Sequence, residues 1–172
     1  GIVTLKNFSV NGFDGSILAS GTLDLRDPKK RPFNLALGVS GVQSKDMRSK
    51  FSSFGNYLSG TLTMNTTMRG DLDDTLGFNT RSLTGKGSVQ MAEGKLQGLP
   101  LTSSLAGMTG IEELRVVNFK NWSNAFSVAN GRVNITDLKI NAGTTDFLAN
   151  GSQGLDGSLD YAMGFDNARN GD

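Results

Sequence analysis

The 172-residue chain has no cysteine and no histidine. That double absence excludes disulfides, thiolate nucleophiles, imidazole bases and His/Cys metal sites. Long apolar runs are missing too: none approaches the roughly 20 residues of a membrane-spanning helix. No secretory leader is visible. The chain opens directly in a strand-like segment, Gly1-Ile2-Val3, and reads as a domain excised from a larger protein. Proline is scarce, at three residues, and charge is nearly balanced, 17 Lys+Arg against 16 Asp+Glu. No basic stripe stands out, so nucleic acid is not an expected partner.

What remains is glycine, 23 residues, and alternation. An apolar fraction of 37% and a mean hydropathy of −0.24 are low. The length still fits a single domain, 1–172, able to bury a core. In Phe33-Asn34-Leu35-Ala36-Leu37-Gly38-Val39 and in Ser158 to Phe165, every second side chain is apolar. Each such segment has one greasy face and one wet or small face. Strands are predicted over Val3–Val10, Ser16–Leu25, Phe33–Ser40, Gly60–Arg69, Ser82–Met91, Lys95–Leu99, Ala125–Ala129, Arg132–Ile140, Asp146–Gln153 and Ser158–Phe165. Asn11-Gly12, Asp14-Gly15, Asn130-Gly131 and Asp156-Gly157 are turn signals between them. Gly85 and Gly87 share one strand face, which predicts close backbone approach or curvature. Ile111 to Trp122 fits helix or strand, and Asn167 to Asp172 reads as a flexible tail.

The period changes twice. Met47, Phe51, Phe54 and Leu58 recur at helical spacing, with Ser44 as N-cap and Gly55-Asn56 as stop. This predicts a longer helix over 44–57 whose apolar stripe covers the sheet. Pro100 opens a shorter one over 101–109, with Leu101, Leu105 and Met108 aligned. The fold class expected is mainly β (α+β). A curved, twisted antiparallel sheet or partial barrel of about eight to ten strands carries one longer and one shorter amphipathic helix.

Polar chemistry is thin. Asp71, Asp73 and Asp74 form the densest acidic cluster, without the glycine and distal glutamate of a calcium loop. A solvated turn is the plainer reading, and no metal or cofactor is expected. Thr84-Gly85-Lys86-Gly87-Ser88 lacks the residue order of a phosphate loop and lies on an alternating strand. Lys29-Lys30-Arg31, between Pro28 and Pro32, reads as a solvated hairpin loop. No catalytic residue is singled out, and the chain is not expected to be an enzyme.

The stretch Ser82 to Leu99, with its Leu83-Thr84-Gly85-Lys86-Gly87 and Glu93-Gly94-Lys95-Leu96-Gln97-Gly98-Leu99 runs, resembles the C-terminal region of AsmA-like proteins. Phe126-Ser127-Val128-Ala129-Asn130-Gly131, Leu138-Lys139-Ile140, Phe147-Leu148-Ala149-Asn150-Gly151 and Leu155-Asp156-Gly157-Ser158-Leu159-Asp160-Tyr161 are similar to that family's later strands and turns. Upstream, Gly12 to Leu25 and the Met47–Leu58 helix fit the same layout. The resemblance implies a non-enzymatic periplasmic domain of a Gram-negative envelope protein. The parent would be held in the inner membrane by an N-terminal helix absent from this chain. It further implies a role in outer-membrane biogenesis, with phospholipid carried along a hydrophobic β-groove. Other envelope proteins or adjacent domains are the remaining partners it implies.

Phe33, Leu35, Leu37, Met64, Met68, Val89, Met91, Phe147, Tyr161, Met163 and Phe165 are candidates to line such a groove on the concave face. Methionine adapts to variable acyl chains. The same residues also fit a sealed core under the two helices, which would make the domain a structural spacer or protein-docking module with no ligand. Trp122, the sole tryptophan, reads as a core or edge anchor.

Overall fold

The computed structural model describes residues 1–12, 14–44, 57–98, 100–142, 145–156 and 158–166. Nine strands form one antiparallel sheet in chain order: β1 Ile2–Gly12, β2 Gly15–Asp24, β3 Arg31–Gln43, β4 Leu58–Leu72, β5 Thr84–Gln97, β6 Val116–Ala129, β7 Arg132–Ala142, β8 Thr145–Gly154 and β9 Leu159–Asp166. Every strand pairs only with its chain neighbours, so the sheet is open, with β1 and β9 at its borders. The expected mainly β antiparallel sheet is therefore present. One short helix, α1 (Pro100–Thr109), precedes a 3-10 turn at Glu112–Arg115. The longer helix expected over 44–57, with Met47, Phe51 and Phe54, lies outside the described residues, as does the tail 167–172. Leu58 opens β4, opposite Leu96.

Register decides which residues share a face. One row crosses all nine strands: Phe8, Ala19, Leu37, Thr66, Gly87, Phe126, Ile135, Gly151, Tyr161. The next row runs Leu5, Gly21, Leu35, Met68, Gly85, Val128, Val133, Gln153. Directly opposed residues lie on one side of the sheet. Apart from Thr66 and Gln153 both rows are apolar or glycine, and the other side carries Ser, Thr, Asn, Lys and small residues such as Ser20, Ala36, Thr67 and Lys86.

Bulges keep the rows in phase. Between Leu5 and Phe8 the register shifts at Asn7, whose φ is 49°. The same happens between Ile135 and Leu138 at Asp137, φ 54°, where the Asp137 amide donates to Asn150 Oδ1 at 2.7 Å. Gly41, φ 68°, serves the shift between Val39 and Val42. An extra residue would otherwise flip every later side chain to the wrong face. The Asn130-Gly131 turn has φ of 52° and 71°, the doubly positive pattern of a tight hairpin, and joins β6 to β7.

Three glycines sit opposite rings on the apolar side: Gly87 against Phe126, Gly94 against Phe119, Gly151 against Tyr161. A Cβ on Gly87 would come within 2.7 Å of the Phe126 Cζ. Ring and glycine therefore fill one space together, the arrangement that offsets a strand glycine's missing side chain.

Candidate functional site

The apolar side is packed at two places. Near one end Phe33, Leu83 and Val128 form a buried cluster, with Leu23, Leu35, Leu72, Phe126 and Val133 against it. Phe33 and Leu83 both close over Gly70, the register partner of Phe33: a Cβ there would come within 2.9 Å of Leu83 Cδ2 and 3.3 Å of Phe33 Cε1. Phe78, from the loop after β4, stacks edge-on to Phe33 at 5.4 Å. Elsewhere Val42, Met91, Leu96 and Val117 are buried. In the segment between β5 and β6, Thr102 and Ala106 of α1 and Leu114 of the 3-10 turn are buried as well. Trp122 sits opposite Met91, half-buried, edge-on to Phe119 at 6.3 Å, and its Nε1 donates to Asn124 Oδ1 at 3.2 Å. Met108, expected on the covered stripe of α1, is 84% exposed. It lies in the last turn, where the Gly110 amide closes the helix onto the Ala106 carbonyl at 2.9 Å.

β1 is different. All of its residues are exposed, including Ile2, Val3, Leu5, Phe8 and Val10. Its apolar row continues that of β2 and β3, but nothing among the described residues covers it.

The groove candidates divide accordingly. Phe33 and Met91 are buried in the packed regions. Leu35, Leu37, Met64, Met68, Val89 and Tyr161 are half-buried on the apolar side, with Leu35 opposite Met68 and Met64 opposite Val89. Phe147 and Phe165 are register partners on β8 and β9, and Met163 is opposite Ala149; the side chains of these three are outside the described set. Alternation alone does not mark β1 as the bare margin, although Val3, Leu5, Phe8 and Val10 carry the signal once the shift at Asn7 is allowed.

The opposite side carries two open troughs, of about 680 and 790 Å³, that share Ser20, Ala36, Thr67 and Lys86. Their space comes from small side chains: serine, alanine, glycine and threonine leave room where leucine and methionine fill it on the other side.

The carboxylates with shifted titration are committed to local turns. Asp73 Oδ1 accepts from the Thr75 hydroxyl, the Gly77 amide and the Thr75 amide at 2.8 to 2.9 Å, and these bonds hold its carboxyl below the usual range. The Arg31 guanidinium, which donates to the Asp73 carbonyl, adds to that. Asp156 is lowered likewise by the Ser158 amide and hydroxyl. Asp24 is lowered to about 2, first by its hydrogen bonds from the Arg26 guanidinium and then by the Arg26 amide. Arg132 ties β7 to the last hairpin through Ser152 Oγ at 2.7 Å and Ser158 Oγ at 2.9 Å. Burial raises the Tyr161 hydroxyl. The Lys29 amide donates to Asp27 Oδ1 at 2.8 Å in an exposed turn. Thr84-Gly85-Lys86-Gly87-Ser88 lies within β5, where its main chain serves the sheet ladder.

Among the described residues no group of three Asp or Glu converges to hold a metal ion, and no helix is long and apolar enough to cross a membrane. The face that stands out is therefore apolar rather than polar: a stripe across the sheet, packed in two places and, among the described residues, bare along β1. In the comparisons with known proteins, no family model, no curated protein and no solved structure matches this chain.

Proposed function

We propose that this chain is a non-enzymatic, AsmA-like periplasmic domain of an inner-membrane-anchored parent. In this reading it supports outer-membrane biogenesis by binding or conducting phospholipid along the apolar side of its sheet. The observation that carries this is the register row from Phe8 to Tyr161, which crosses all nine strands with Thr66 interrupting its apolar and glycine members and which nothing among the described residues covers at β1. The motifs between Ser82 and Tyr161 that resemble the family add to it. The work done is passive. Each acyl CH2 taken out of water contributes about 0.8 kcal/mol, with headgroups left in solvent. Met64 and Met68, half-buried on the apolar side, suit chains of varying shape. The bare margin at β1 is where a chain would enter.

Organic extraction of the purified domain, followed by mass spectrometry, tests this. Phospholipid should co-purify, and flotation with phosphatidylethanolamine–phosphatidylglycerol vesicles should carry the protein upward. Met64→Asn and Met68→Asn together should lower the bound lipid while leaving the fold intact by circular dichroism. A clean domain that ignores vesicles sinks the proposal. That result would favour the second reading, a sealed spacer or docking module, which draws on the complete burial of Val42, Met91 and Leu114.

A further inference from the structure

β1 offers more than an uncovered surface. The Leu25 amide donates to the Gly1 carbonyl at 2.8 Å, and Ile2 is opposite Asp24. Main-chain direction alternates along a strand, so Val3 and Leu5 turn their N–H and C=O groups toward β2, while those of Ile2 and Thr4 point away from the sheet. On β2, Leu23, Gly21, Ala19 and Ile17 face β1 by the same alternation. Their partners beyond the bulge are Phe8 and Val10, which leaves Ser9 and Asn11 pointing outward. Among the described residues nothing pairs with this outer edge, which therefore presents Ile2 and Thr4 on one side of the bulge and Ser9 and Asn11 on the other.

This edge is symmetric about Lys6-Asn7. Apolar residues of the stripe lie at Val3, Leu5, Phe8 and Val10, and the outward main-chain groups at Ile2, Thr4, Ser9 and Asn11. Turned end for end, the strand reproduces both patterns. We propose that two copies of this chain join antiparallel through β1, related by a two-fold axis that passes between Lys6 and Asn7. Thr4 then pairs with Ser9 of the other copy and Ile2 with Asn11, all four being outward residues that exchange hydrogen bonds. Val3 meets Val10, and Leu5 meets Phe8, on the apolar side. The bulge makes the match: without the shift at Asn7, a register placing Val3 against Val10 would put the stripe of one copy on the polar side of the other. The two apolar sides become one surface across both copies. Lys6 is the single charge on β1, and the axis brings both copies' Lys6 near each other, so association should strengthen as salt screens them. The proposal rests on edge geometry and not on lipid binding, which is measured separately.

The register makes the test sharp, because the chain has no cysteine of its own. Val3→Cys and Val10→Cys variants are made singly, then oxidised alone and mixed. Mixed, they should form a disulfide-linked dimer; alone, neither should, since each cysteine would face the valine of its partner. Sedimentation equilibrium of the unaltered chain should give a concentration-dependent dimer. Thr4→Pro and Ser9→Pro remove outward amides that β2 does not use, so the β1–β2 pairing survives. Each should weaken association by roughly 10- to 100-fold with an unchanged circular dichroism spectrum. A monomer at every accessible concentration overturns the proposal and leaves the edge for a different chain. A cross-link in either variant alone, or a dimer indifferent to both prolines, overturns it equally.

Discussion

At the residue scale, the glycines opposite rings leave little room for a side chain. Gly87→Ala places a methyl group where the Phe126 ring and the β4 main chain already are. It should cost about 1–3 kcal/mol by urea unfolding. In a Phe126→Leu background the added cost should shrink, because the smaller side chain vacates part of that space; additive losses would disprove the pairing. The turn carboxylates define a pH response. Asp24, Asp73 and Asp156 all titrate below their ordinary value of 3.8, so the folded state prefers them ionised. Their contribution is complete above that value and is lost as pH falls; for Asp24 the loss runs down through about 2. Asp73 and Asp156 are exposed and Asp24 is only half-buried, so solvent screens the effect and the drop in Tm should be shallow. Asp24→Asn should remove its own share of the acid dependence while leaving the Tm at neutral pH slightly lower. An acid limb identical to that of the unaltered chain would show that the Arg26 contact contributes nothing.

At the element scale, alternation and turn residues made most of the sheet legible. Alternating segments fall within each of β1 to β9, Asn130-Gly131 marks the reversal and Pro100 the start of the short helix. The pattern fails where phase slips. Lys95–Leu99 looked like a separate strand, because Glu93-Gly94 resembles a turn; Glu93 has φ of 48°, yet β5 continues through it to Gln97. Ile111 to Trp122 stayed ambiguous because Leu114 is buried from a 3-10 turn while Val117 is buried from β6, two local structures in one apolar run. The spacings Val3-Leu5-Phe8-Val10 and Val133-Ile135-Leu138-Ile140 each hold a three-residue step, and period two alone does not anticipate it. The candidate apolar side was legible as residues, since register aligns them; its packed and bare portions were not, because burial depends on loops far along the chain. Met91→Ala and Leu114→Ala, in the packed region, should each cost about 2–5 kcal/mol. Met108→Ala, on the exposed last turn of α1, should stay within about 0.5 kcal/mol. Comparable losses at Met108 would mean that α1 docks on something at that turn.

At the scale of the whole molecule, stability should grade from border to centre. β1 is bare and pairs on one side only, whereas β3 to β6 carry both packed regions. Hydrogen exchange should be fastest at the outward amides of Ile2, Thr4, Ser9 and Asn11 and slowest along β4 and β5. If two copies join at β1, those four amides should gain protection as concentration rises, while β9 does not change. Uniform protection across the nine strands would contradict the graded picture. The strictly sequential pairing has one more consequence. No strand is threaded between two others, so a hairpin can be inserted or deleted at either border without rerouting the rest. Each hairpin gained would widen the sheet by about 9–10 Å. Width in this architecture is therefore an evolvable dimension, adjusted by duplication of a segment of about two strands rather than by redesign of the interior.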